Sequence, residues 1–343
     1  MDAVALTRRL IDIPSVTGDE EAVAHYLTDV LTGLGYRVEL LEAAPGRHNV
    51  LATTGAPARI VFSTHLDTVP PAIPSSEDAE YVYGRGACDA KGIVAAQLAA
   101  AERLRAEGFD TLALLFVVDE EMESVGARAA NAHPLAADCR YLIDGEPTDN
   151  TLVVGTKGSL RLTLRTEGPG GHSSTPEGAV SAIDRLLDVL ADLRREEWPR
   201  DPVFGATTVN IGVIAGGSRP NVIATDARAD LQVRLVTPAA GVRRRIDALV
   251  AGRATIDVLT AIDPVRLTGV PGFEQTVVPF MTDIPHLTRW GTPLLLGPGS
   301  ITDAHSAGER IAKRELQRGT DCYVRLARAL AAGSNEGEEG GDP

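Results

Sequence analysis

The sequence predicts an α/β protein, a sheet flanked by helices on both faces, interrupted by an inserted ferredoxin-like α+β domain. Three observations carry this expectation. Short apolar runs alternate with helical stretches as far as Ile143, which is how a helix-covered sheet reads in sequence. From Leu152 the strands lengthen and alternate, in the order β-α-β-β-α-β, the ferredoxin-like arrangement. A last strand and a closing helix then return the chain to the first domain. The expected division is 1–152 with 264–333 for a discontinuous catalytic domain, 153–263 for the insertion and 334–343 for a disordered acidic tail.

Each element has a local reason. Thr17-Gly-Asp-Glu20 has capping-box spacing, and Val23, Tyr26, Leu27, Val30, Leu31 and Leu34 follow at helical intervals until Gly33 and Gly35. This amphipathic helix is expected to open the fold. Apolar runs at 37–41, 49–53 and 60–64 suit strands. Residues 92–107, rich in Ala, Leu, Glu and Arg, read as a helix, 112–118 as a buried central strand, 124–132 as a helix and 141–143 as a strand. In the insertion, strands are expected at 160–166, 207–214, 227–236 and 255–259, with helices at 180–195 and 238–251. A strand at 294–296, a Gly-Pro-Gly loop and a helix over 313–332 complete the chain.

The 343 residues are 44% hydrophobic and 23% charged, ordinary for a folded globular chain. Asp and Glu number 47 against 33 Lys and Arg, a formal charge of −14. No basic run interrupts this balance, so a nucleic-acid partner is not expected. The longest strongly apolar run, 112–118, is far shorter than the ~20 residues that cross a bilayer. No membrane partner is expected either. Arginines occupy the middle of the amphipathic stretch 1–15, where a signal peptide needs its apolar core. The three cysteines, Cys88, Cys139 and Cys322, form no CxxC pair, and a reducing cytoplasm with free thiols is the expectation.

Four acid- or His-bearing stretches are expected just after predicted strands, at the sheet edge where α/β proteins bind ligands. In Ser63-Thr-His65-Leu-Asp67 a period of two points His65 and Asp67 to one side. An acid so placed can take the free ring N–H and leave the other nitrogen for a metal, although a surface histidine beside an acid gives the same spacing. Gly84 to Gly92 is a glycine-rich turn with Asp89 inside it, readable also as a plain strand-to-helix loop with Asp89 as cap. Asp119-Glu120-Glu121 places adjacent carboxylates behind a strand of apolar residues, and Asp144-Gly-Glu146 repeats the theme. Clustered acids at a buried edge repel one another unless a cation compensates. Together the four stretches call for a metal site.

In order along the chain, STHLDTVP, GRGACDAKG, VVDEE, GEPT, GGHSSTPE, SRPNVIA and DAHSAGE resemble the signatures of the co-catalytic zinc amidohydrolases, which include acetylornithine deacetylase, succinyl-diaminopimelate desuccinylase, aminoacylase and glutamate carboxypeptidase. The resemblance spans nearly the whole chain. It implies a zinc-exopeptidase-like mixed sheet with an inserted lid and dimerisation domain, and hence a possible homodimer. It implies two Zn2+ per chain, Co2+ being an alternative, with His65 and Glu146 on one ion, Glu121 and His305 on the other, and Asp89 bridging. Glu120 would be the general base and Asp67 would orient His65. His172 would donate to the developing oxyanion, while Asn221 and Arg234 would contact substrate, Arg234 through a carboxylate.

The implied reaction is hydrolysis of a small N-acyl amino acid. Glu at position 146 resembles the deacylase and carboxypeptidase branch, and the wording of the motifs looks closest to acetylornithine-type and carrier-linked lysine or ornithine deacylases of arginine and lysine biosynthesis. Desuccinylase and carboxypeptidase activity are the implied alternatives. A catalytically silent, metal-stabilised binding protein would have lost Glu120 or a ligand, and all are present. The chain departs from the family wording at Ala90 in the bridging-aspartate motif and at Met122-Glu123, where small residues are usual. Cys88, beside Asp89, is read as a small buried hydrophobe and not as a ligand.

Overall fold

A computed structural model describes residues 1–336. Two compact units divide the chain: Met1–Val154, Leu267–Thr276 and Thr282 onward form the first, and Gly155–Arg266 with Val277–Met281 the second.

In the first unit the sheet runs in the order Arg37–Ala44, Arg47–Thr53, Leu112–Val117, Ile60–His65, Tyr141–Asp144, Thr292–Leu295 and Leu152–Thr156. Its central four strands, 112–117, 60–65, 141–144 and 292–295, are mutually parallel, so their carboxyl ends share one edge. The outer strands Arg37–Ala44, Arg47–Thr53 and Leu152–Thr156 pair antiparallel, making the sheet mixed. Strand Leu112–Val117 has two buried faces. Leu112, Leu114 and Phe116 pack with Leu27, Leu31, Ile93 and Tyr323, while Ala113, Leu115 and Val117 pack with Leu51, Ala127 and Trp290. Each fully buried Leu or Phe contributes about 1.5–3 kcal/mol, which explains why this run is continuously apolar. Helix Lys91–Ala106 is buried on nearly every side between the sheet and the helices Ala3–Ile11 and Lys313–Glu336, and its many alanines permit that close approach.

The second unit is a four-stranded antiparallel sheet ordered Thr208–Gly216, Asp226–Leu235, Gly158–Glu167, Thr255–Ile262. Leu160, Leu162 and Leu164 point to one face and meet Leu186, Val189 and Leu190 of helix Ala182–Arg195 and Val242, Ile246 and Val250 of helix Ala239–Val250.

Two expectations at the amino terminus are corrected. The fold opens one helix earlier, at Ala3–Ile11, where Asp2 caps Val4 and Ala5 and Leu6, Leu10 and Ile11 are buried. The capping box at Thr17–Glu20 does not form. Thr17 N donates to the Thr68 carbonyl at 3.1 Å and its hydroxyl to Asp67 at 2.9 Å, so both groups the box needs are committed elsewhere, and the fully buried Glu20 carboxylate accepts Gly18 N and pairs with Arg47. Residues 334–336 of the expected tail continue helix Lys313–Glu336, and the remainder of that tail lies outside the described residues. No described helix is long and apolar enough to cross a membrane. Cys88, Cys139 and Cys322 are free and buried.

Candidate metal centre

Parallel pairing delivers the chemistry to one edge. His65 ends its strand in register with Val117, and Ser63 is level with Asp144, so the stretches 65–67, 118–121 and 144–146 leave the sheet side by side. Thr64 Oγ1 donates to the Gly145 carbonyl at 2.8 Å and locks two of them together. The loop after Thr292–Leu295 brings His305, and the turn before helix Lys91–Ala106 brings Asp89, whose peptide bond to Ala90 is cis.

These residues converge. His65 Nε2 lies 2.9 Å from Asp89 Oδ1, and His305 Nε2 lies 3.2 Å from Asp89 Oδ2 and 2.7 Å from Glu121 Oε1. Asp89 thus offers one oxygen to each histidine. Ligand atoms of His65, Asp89 and Glu121 all fall within 4.8 Å of one another, as do those of His65, Glu120 and Glu146. Of the five expected ligands, His65, Asp89 and Glu146 are buried and the Glu121 side chain is nearly so. A surface histidine at position 65 is ruled out, because His65 is enclosed at 1% exposure. His305 is the accessible member, with 46% of its side chain exposed.

The charge balance fits a divalent cation. Burial, reinforced by repulsion from neighbouring acids that include Asp89, pushes the Glu120 and Glu146 carboxyls well above their ordinary range. Asp89 is held below its ordinary range, the two histidines outweighing its burial. His305 is pushed up to about 10 by its contacts with Asp89 and Glu121. Arginines of the adjoining loops are engaged elsewhere, Arg47 with Glu20 and Asp119 and Arg85 with Glu309. Four carboxylates facing two imidazoles form a surplus of negative charge with an O/N donor set suited to zinc or a similar ion. Among the described residues, His65, Asp89, Glu120, Glu121 and Glu146 form the groups that could hold such an ion, with His305 beside Asp89 and Glu121.

Asp67 faces His65 Nδ1 with two of its groups. His65 Nδ1 is 2.9 Å from the Asp67 backbone carbonyl and 3.5 Å from its carboxylate. The carboxylate also accepts the backbone N–H groups of Glu120 and Glu121 at 3.1 and 3.2 Å. Asp119 supports the same loop: its φ is 74°, it pairs with Arg47, and it accepts N–H bonds from Glu123 and Val125. Met122 and Glu123 point to solvent, Met122 being 73% exposed. Cys88 is enclosed, its thiol donating to the Ser300 carbonyl at 3.2 Å.

His172, Asn221 and Arg234 belong to the second unit. His172 pairs across a short ladder with Val222, and Ser173 N donates to the Asn221 carbonyl, so the two expected substrate loops adjoin. Asn221 and His172 are exposed, and His172 Nδ1 lies 2.7 Å from Ser174 Oγ. Arg234 lies opposite Ser159 in the sheet, and burial with the charge of Arg161 lowers its pKa. Two further acids stand near the centre. Asp283, which follows no strand and which spacing does not single out, is buried, and its charge raises Glu120. Asp144 is legible as an acid behind a strand and is likewise buried and pushed upward.

Comparison with known proteins supplies the family. The model of peptidase family M20/M25/M40 matches residues 61–329. A peptidase M20 domain-containing protein of Schizosaccharomyces pombe is 35% identical over 94% of this chain and 83% of its own length. A probable carboxypeptidase of Emericella nidulans is 36% identical over 95% of this chain and 89% of its own. A tripeptidase structure from Staphylococcus aureus shares the fold, with a TM-score of 0.80 at 21% identity over 96% of this chain and 98% of that one. The chain therefore belongs to peptidase family M20/M25/M40 and is a metal-dependent hydrolase.

Proposed function

We propose that the protein hydrolyses the amide bond of an N-acylated α-amino acid at a dinuclear zinc centre held by His65, Asp89, Glu121, Glu146 and His305. The observation that carries this reading is Asp89 facing His65 with one carboxylate oxygen and His305 with the other, beside three glutamates. Bound divalent cations would supply Lewis acidity, acidifying a water and polarising the scissile carbonyl. Glu120 accepts the water proton and passes it to the leaving nitrogen. Its carboxylate converges with the donor atoms of His65 and Glu146, which places it where a proton can be taken up and later returned. His172 donates to the oxyanion, Asn221 contacts the substrate, and Arg234 holds the carboxylate of the amino-acid half.

Two acyl groups fit this scheme. A small acyl group makes the reaction a deacylation of the acetylornithine type or a desuccinylation, and an aminoacyl chain makes it a carboxypeptidase reaction. The Emericella nidulans relative, a probable carboxypeptidase, favours the second reading. Zinc-loaded protein assayed side by side on N-acetylornithine, N-acetylcitrulline, N-acetyllysine, N-succinyl-diaminopimelate, N-acyl glutamates and blocked dipeptides separates them. Glu120→Gln is expected to lower turnover by about 10²–10⁴-fold while retaining zinc. Wild-type turnover in that variant, or no hydrolysis of any amide bearing an adjacent α-carboxylate, overturns the proposal.

A further inference from the structure

We propose that Glu309 is a positioning residue for the metal centre, its carboxylate setting the loop that carries Asp89 and tying it to the loop that carries His305. Glu309 is enclosed, at 1% exposure, and lies outside both groups of converging donor atoms. Its Oε1 accepts three backbone N–H groups of one turn: Gly86 at 2.9 Å, Cys88 at 3.2 Å and Asp89 at 3.1 Å. Its Oε2 receives Arg85 Nη1 at 2.5 Å, and the same nitrogen reaches the Ser306 carbonyl, next to His305, at 3.2 Å. Arg85 Nε lies 3.3 Å from the Pro71 carbonyl.

The backbone repeats the connection. Gly84 N donates to the Glu309 carbonyl at 3.0 Å, and strand Arg310–Ala312 pairs antiparallel with Tyr81–Tyr83. The two segments therefore meet through main chain and side chain at the same point. Gly86 has φ +90°, and a Cβ there would stand 2.8 Å from Lys91 Cδ, so glycine is what lets its N–H turn inward to the carboxylate. A buried carboxyl paired with a guanidinium and shared by three converging N–H donors holds a turn more rigidly than isolated neutral contacts do. Rigidity has a use here, since Asp89 must present one oxygen to His65 and the other to His305, and rotation of the turn would displace both. A buried guanidinium and three inward N–H groups without Glu309 would have no common acceptor.

This inference rests on the dinuclear reading of the site. It is tested with purified wild type, Glu309→Gln and Glu309→Leu, each measured for zinc content, for zinc affinity by chelator competition, and for the visible absorption of the Co2+-substituted protein. Circular dichroism confirms that the compared samples are folded. Glu309→Gln keeps an oxygen but not the charge and is expected to weaken zinc binding about tenfold; Glu309→Leu is expected to weaken it about 100-fold or to lose one ion, with an altered Co2+ spectrum. A purely structural role would lower the melting temperature and leave zinc affinity and the Co2+ spectrum of the folded protein unchanged. Wild-type affinity and spectrum in a folded variant overturn the inference, and if Glu309→Leu does not fold, Glu309→Gln decides. Fewer than two ions in wild type would overturn the dinuclear reading itself, whereas two ions in wild type with unchanged variants would overturn the positioning role alone.

Discussion

The Asp67 carboxylate accepts the backbone N–H of Glu120 at 3.1 Å, so the residue that holds His65 by its carbonyl also fixes the start of the loop bearing the proposed base. The second oxygen takes Glu121 N–H and the Thr17 hydroxyl. One side chain thereby joins the ends of two adjacent parallel strands. Its pKa is lowered because the contacts with His65, Thr17 and Glu121 outweigh its burial, which keeps the carboxylate ionised as an acceptor.

Asp67→Asn should separate that duty from simple hydrogen bonding. The amide has one acceptor oxygen and would turn its NH2 toward a backbone N–H or the Thr17 hydroxyl. A buried donor left unmatched costs about 1–3 kcal/mol, and loss of such a supporting contact costs about 10–100-fold in metal affinity or activity. Zinc competition and kcat measured together check this; unchanged values in both would show that the loop needs no anionic acceptor.

Asp283 supplies a pH prediction. Burial, with repulsion from Asp67 and Asp119, pushes its carboxyl up to about 7 from an ordinary value of 3.8. The unfolded chain releases this proton near pH ~4 and the folded chain keeps it until about pH 7, so the folded state binds more protons in between and the residue's contribution to stability falls as pH rises through that window. Asp283→Asn removes the titration. In chelator-treated samples, the melting temperature of the variant relative to wild type should be more favourable at pH 8 than at pH 5. The same offset at both pH values would refute the assignment.

Arg234→Lys tests the carboxylate contact. A lysine keeps the charge and loses the planar two-pronged donor. KM for a substrate with a free α-carboxylate should rise about tenfold, with a smaller change in kcat and little change for the corresponding carboxamide. Equal effects on both substrates would place Arg234 outside the recognition of that group.

Much of the architecture is legible in the sequence because it rests on local periodicity. The run 112–118 announces a buried strand, observed at Leu112–Val117, and residues 92–107 announce a helix, observed at Lys91–Ala106. The candidate donors His65, Glu121 and Glu146 are legible as polar residues directly behind apolar strands, and Asp89 and His305 through the wording around them. The amphipathic stretch 1–15 holds the helix Ala3–Ile11 ahead of the one expected to open the fold, and Thr17–Glu20 has the spacing of a cap that it does not form. Spacing reports which local bonds are available, whereas the distant partners Asp67 and Arg47 determine which ones are made.

By itself, then, the sequence determined most of the strands and helices, their alternation and the kinds of side chain at the strand ends, since each depends on neighbours within a few residues. Tertiary structure alone decided that strands 60–65, 112–117 and 141–144 lie side by side, which brings His65, Glu121 and Glu146 to one edge. It also decided how Asp67 and Glu309 are used. Both are short-range acceptors whose donors come from segments 53 and 223 residues away, and a buried carboxylate takes whatever N–H groups the packed chain brings to it.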